Sequence, residues 1–206
     1  VALFYRFLFF LIGLIILTFG VSLSIKADLG AGAWDALNVG LSQTIGLTIG
    51  SWVIIVGIIL MLINALLHKK RPEILAIFTV FLTGFMVDFW MLVVLEAWEL
   101  ETLALRSIVF IIGVAIIGIG AAIYLQAKFP LIPIDNFMMG IKLRLGVNLM
   151  VAKTIGELIA LVFALMVKGP VGLGTLVITF AIGPFIQVFF PIFEKLYVKW
   201  TGSYTK

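Results

Sequence analysis

The chain has 206 residues, of which 64% are hydrophobic and 12% charged, with a formal net charge of +4 and no cysteine. A soluble domain carries about a quarter charged residues, so half the usual charge is missing and a soluble globular protein is excluded. The lack of cysteine excludes disulfides, thiolate metal sites and a cysteine nucleophile.

Apolar runs of about 18 residues or more read as membrane-spanning helices. Six occur, at roughly 4–26, 50–67, 73–96, 105–127, 150–167 and 174–197, which predicts an all-α polytopic membrane protein with six transmembrane helices. The first run has no small-residue cleavage site and reads as a retained span rather than a signal peptide. The chain opens on Val1, so an initiating segment is expected ahead of it. Lys26, Asp28 and Asp35 follow the first run as a weakly acidic stretch. The second run ends in His68-Lys69-Lys70-Arg71, the densest basic cluster, and the third in the acidic Glu96-Ala97-Trp98-Glu99-Leu100-Glu101. Beyond the fourth run, Lys128, Lys142 and Arg144 outweigh Asp135, and the tail holds Lys195, Lys199 and Lys206. Because basic loops stay cytoplasmic, both termini and the ends of the second and fourth helices are expected inside a bacterial inner membrane.

The chain also repeats itself. At an ungapped offset of 100 residues, Arg6 falls on Arg106, Gly13 on Gly113, Gly20 on Gly120, Asp35 on Asp135, Gly40 on Gly140 and Gly46 on Gly146. Residues 1–100 and 101–206 therefore read as two three-helix repeats of a single membrane domain. An odd number of spans per repeat inserts the two copies in opposite directions, in agreement with the loop charges.

Each repeat carries an interruption between its first and second spans. Asp35 and Asp135 are suitable N-caps for short amphipathic helices that end at Gly46 and Gly146, with Thr48 and Ser51 placed to cap the next span. Such helices either lie at the headgroup level or dip into the protein beside a cavity. An Asp and two Gly repeated in register favour the second arrangement, since a surface helix needs neither.

Ala27-Asp28-Leu29-Gly30, Trp34-Asp35-Ala36-Leu37, Gly40-Leu41-Ser42 with Gly46, Gly172-Leu173-Gly174-Thr175 and Gly183-Pro184 resemble the YczE/YitT-type family of bacterial integral membrane proteins. The resemblance covers nearly the whole chain. Ala33 stands where that family usually has Pro, which survives here only as Pro133. The resemblance implies the membrane architecture and no established substrate. Some members resemble vitamin B6-linked membrane proteins by genetic association, and the resemblance thereby implies a vitamin-like solute as one expected cargo.

Ionisable groups inside a bilayer are costly and commonly functional. Asp88 in the third span and Glu157 in the fifth are candidates for proton or cation coupling. Their plainer readings are an interhelical bonded carboxylate and an i,i+4 pair with Lys153. Trp34, Asp35, Asn38, Asp135, Asn136 and Gln187 are the candidate substrate-binding residues; Trp34 could stack on a flat or cationic ligand, and Gln187 follows a break expected at Gly183-Pro184. Asn64 reads as a helix–helix hydrogen bond, and the repeated glycines as close helix packing. With one histidine and no cysteine, no enzyme or metal motif is present, and no cofactor is expected. The pattern predicts a secondary transporter working by alternating access, with a substrate-binding subunit, a channel-like facilitator or a non-transporting scaffold as alternatives. Expected partners are the lipid bilayer, a small polar or amphipathic solute, a proton or cation and a second copy in a homodimer, with no nucleic acid.

Overall fold

The computed structural model describes residues 2–201. Their regular elements are α1 (Ala2–Lys26), α2 (Ala33–Ile45), α3 (Ile49–His68), α4 (Leu75–Phe89) continued by a π-helical turn (Trp90–Val94), α5 (Leu103–Gln126), α6 (Pro133–Leu145), α7 (Leu149–Met166) and α8 (Leu173–Thr201). Among the described residues, five stretches are long and apolar enough to cross a membrane: Leu3–Lys26, Ile49–His68, Leu75–Val94, Leu103–Gln126 and Leu173–Thr201. The sixth apolar run forms α7, a helix of 18 residues bearing Lys153 and Glu157, which is not among those five.

Two expectations need correction. The short helices are not Asp-capped: Gly32 and Ile132 occupy the N-cap positions without any side-chain cap bond. Pro133 begins α6, where its fixed φ suits the first turn and its missing N–H costs nothing. Both Asp35 and Asp135 therefore sit inside the first turn, where the helix dipole still favours a carboxylate. Nor does Gly183-Pro184 break the last span, because α8 runs on through both Pro184 and Pro191. Proline removes one backbone bond there, to the Phe180 carbonyl for Pro184, and the flanking turns carry the helix across. Other expectations hold. Gly46 (φ +100°) and Gly146 (φ +66°) end the short helices, and Thr48 caps α3 by accepting the Ser51 N–H at 3.1 Å.

The chain forms two compact units, each drawing on both halves of the sequence. The first contains α1, the π-helical turn, α5 and α8. Here α1 and α5 run antiparallel with backbones in contact, because glycines open the crossing. Gly13 lies against Tyr124 and Gly113 against Ser24 and Leu23; Gly20 lies against Ile117 and Gly120 against Leu17. Leu23, Ala27, Leu95, Phe110, Val114 and Ile178 form an apolar core around this pair.

The helix ends of that unit are closed by two arginines. Arg6 donates from Nε to the Ala127 carbonyl (2.9 Å) and from Nη2 to the Lys128 carbonyl (3.0 Å). Arg106 does the same to Ala27 (2.8 Å) and Asp28, and adds an ion pair to the Asp28 carboxylate at 2.6 Å. Each guanidinium satisfies carbonyls left open at a helix C-terminus, where a cation is also favoured by the dipole.

The second unit contains α2, α3, α4, α6 and α7. Gly40 of α2 sits on Val167 and Gly169 after α7, while Gly140 of α6 sits on Leu67 and His68 at the end of α3. Gly50 of α3 and Gly84 of α4 let those helices touch along their backbones. Arg144 donates to the Leu66 and Leu67 carbonyls, tying α6 to the open end of α3.

Candidate functional site

The second unit gathers most of the polar groups singled out in the sequence. The turn of α2 that follows Gly32 presents Trp34 and Asn38, one helical turn apart and therefore on one face. They are 6% and 3% exposed. The Trp34 and Phe137 rings, from α2 and α6, meet in a T-shaped contact with centroids 5.9 Å apart. Neither the Trp34 Nε1 donor nor the Asn38 Oδ1 acceptor has a hydrogen-bond partner. A buried polar atom left unpaired costs about 1–3 kcal/mol. One donor and one acceptor are thus left unpaired on the same face of α2.

Asp35 lies between them in sequence and is partly buried. Burial, with a smaller contribution from the charge of Glu157, pushes its carboxyl up to about 7. Glu157 of α7 in turn stands in the fields of Lys153 and Asp135. Carboxylates of α2, α6 and α7 are thereby linked electrostatically, with Lys153 as the nearby cation. The i,i+4 pairing of Glu157 with Lys153 read from the sequence persists, alongside burial and the charge of Asp135.

Asn136 contributes through its backbone, its carbonyl lying 3.2 Å from His68 Nε2. Asp88 is placed elsewhere. Its Oδ2 accepts from Thr48 Oγ1 at 2.6 Å and its Oδ1 from the Gly50 N–H at 2.7 Å. Both oxygens close the N-terminus of α3, so a coupling role would require α3 to give up that cap. Gln187 is exposed on α8 and belongs to the first unit, so the second unit's cluster forms without it. Asn64 bridges helices as expected, Nδ2 donating to the Pro133 carbonyl at 2.9 Å, but its Oδ1 is unpartnered and the residue is 3% exposed. That half-satisfied amide, and the wall formed by the basic residues after α3, were not legible in the sequence. The run His68–Arg71 signalled only orientation.

Five helices able to cross a membrane, with polar groups held among them, define an integral membrane protein. The chain belongs to a family of unknown function, DUF6198, whose model matches residues 4–191. It is 40% identical over 190 residues to the uncharacterized protein YyaS of Bacillus subtilis, covering 92% of this chain and 94% of that protein. It is 36% identical over 187 residues to the uncharacterized membrane protein YczE of the same organism, covering 90% and 86%. An uncharacterized protein of Haemophilus influenzae is 26% identical over 186 residues, covering 90% and 84%. The YczE-type resemblance read from the motifs is thus confirmed. No solved structure matches the chain.

Proposed function

We propose that the protein is a secondary-type transporter of a small polar or amphipathic solute, built as two inverted three-helix repeats that alternate access across a bacterial inner membrane with both termini cytoplasmic. The observation that carries this reading is the carboxylate set of Asp35, Asp135 and Glu157 beside the unpaired Trp34 Nε1 and Asn38 Oδ1. A solute offering both a donor and an acceptor would complete the Trp34 and Asn38 atoms. Reciprocal contacts support the repeat: Gly13–Tyr124 matches Gly113–Ser24, and Gly40–Val167 matches Gly140–Leu67, each at an offset of 100 residues. In this reading α7 is the sixth span, and α2 and α6 are the re-entrant elements typical of transporters built from inverted repeats.

The three carboxylates favour a neutral, zwitterionic or cationic solute over a strong anion, and vitamin-like amines fit that class. Asp35, poised near neutrality, and Glu157 are the groups placed to carry a coupled proton. Purified protein is screened for thermal stabilisation by vitamins, amino compounds and nucleobases at two pH values, since a ligand of the native state raises stability by mass action. Hits are then tested for uptake in proteoliposomes. Asp35→Asn and Asp135→Asn are expected to stay folded and lose uptake. Full uptake in both variants overturns the assignment.

A further inference from the structure

The end of α3, the segment after it and the start of α6 border a half-open cavity of about 500 Å³ within the second unit. Its polar lining is Asn64, His68, Lys70, Arg71, Glu73 and Asn136. Lys70, Arg71 and Glu73 are exposed, so they form the rim, whereas Asn64 is 3% exposed and forms the floor. The Asn64 Nδ2 is held by the Pro133 carbonyl, which fixes the amide with Oδ1 as an acceptor lacking any donor. Met61, Leu131 and Met139 supply apolar walls.

The geometry points to a binding site for a phosphate ester that carries a hydroxyl or amine donor, seated with its anion against Lys70 and Arg71 and its donor toward Asn64. Each feature of the cavity selects part of that ligand. Two adjacent cations at the rim outnumber the single Glu73, so the rim favours an anion. The buried acceptor requires an N–H or O–H. The methionine and leucine walls suit a ligand with an apolar portion. Basic pockets between membrane helices are apt sites for lipid headgroups, and a volume of this size holds one. A phospholipid headgroup and a soluble phosphate ester share this chemistry. The inference does not rest on the transport reading, because none of Asp35, Asp135 and Glu157 lines the cavity.

Delipidated full-length protein in detergent is titrated with dioleoyl phosphatidylglycerol, sn-glycerol 3-phosphate and dioleoyl phosphatidylcholine, following thermal unfolding. Phosphatidylcholine has the phosphate but no donor and a compensating cation. Saturable stabilisation by phosphatidylglycerol alone assigns the site to lipid, and by glycerol 3-phosphate, with or without the lipid, to a soluble ester. The apparent Kd is expected to rise at least tenfold in Arg71→Glu, a change at an exposed position that leaves folding intact, and in Asn64→Ala. Asp35→Asn is expected to bind the probe as the unaltered protein does, whatever becomes of solute transport. Equal stabilisation by phosphatidylcholine, an unchanged Kd in Arg71→Glu, or no response to any probe overturns the proposal.

Discussion

The antiparallel crossing of α1 and α5 gives the sharpest test of how this fold is held together. A methyl group placed at Gly20 would lie 2.7 Å from the Ile117 nitrogen and 2.8 Å from the Gly113 carbonyl oxygen. Both are backbone atoms, so no rotamer change relieves the clash and the helices must separate. Forcing extra carbon into a packed interface costs about 1–3 kcal/mol. For a protein of this length that corresponds to a fall in Tm of roughly 2–12 °C, at about 2–4 °C per kcal/mol. Gly156→Ala is the control. It lies inside α7, and its nearest neighbour is the flexible Met138 side chain at 3.4 Å, so helix propensity alone predicts a gain of up to ~1 kcal/mol. The symmetric change Gly120→Ala, which meets Leu17 of α1, acts on the same crossing. Once one methyl has separated the helices, the second costs less, and the double variant is expected to fall short of the sum. Thermal unfolding in one detergent measures all four proteins. Equal behaviour of Gly20→Ala and Gly156→Ala, or strict additivity of the pair, would refute the backbone-contact account.

Two further perturbations probe the second unit. Asp88→Ala removes both acceptors that close α3 and is expected to cost about 1–2 kcal/mol, as loss of an N-cap does. Asp88→Asn, which keeps one acceptor, should cost less. Unchanged unfolding temperatures for both would remove Asp88 from the cap. Asp35 makes stability depend on pH. Its folded-state carboxyl, raised from 3.8 to about 7, holds its proton through a window in which the unfolded chain has lost it. Stability therefore falls as pH rises from about 4 to about 7 and is level above that. A change of this size corresponds to at most ~4 kcal/mol, and to less here because the side chain retains some contact with the surface. Asp35→Asn mimics the protonated form and should abolish the slope, ending more stable than the unaltered protein at pH 8. Parallel pH profiles for the two proteins would show that Asp35 is not held protonated.

What the sequence revealed was whatever has a local period or a fixed offset. Helix positions follow from uninterrupted apolar runs, and the 100-residue register places α2 (Ala33–Ile45) and α6 (Pro133–Leu145) on matching residues. The N-cap error had a local cause as well. Asp is a strong cap in isolation, but Pro133 at the first helical position outranks it, and the cue is invisible in the first copy where Ala33 replaces Pro. Partners far apart in the chain were not legible. Asp88 finds Thr48 and Gly50 about forty residues upstream, and no spacing rule links a carboxylate late in one span to the start of the previous one. The composition of the compact units escaped for the same reason: α1 packs on α5, and α3 on α6, so each unit interleaves the halves that the repeat separates.

At the 100-residue offset the glycine contacts match and the charges do not. Positions 13, 20, 40 and their counterparts are glycine in both copies because a side chain would strike the neighbouring helix. Position 144 is Arg, and it spends its guanidinium on the carbonyls that end α3. Position 44 is Thr, and its hydroxyl turns back to the Gly40 carbonyl within α2 at 2.7 Å. The second short helix is therefore pinned to a neighbouring span by a charged side chain that the first lacks. Yet both keep an Asp in the first turn, where carboxylate and helix dipole reinforce each other. Packing alone would preserve the glycines and let the Asp drift. In the proposed transporter reading, Asp35, beside the unpaired Trp34 and Asn38 atoms, is the copy placed to meet the solute.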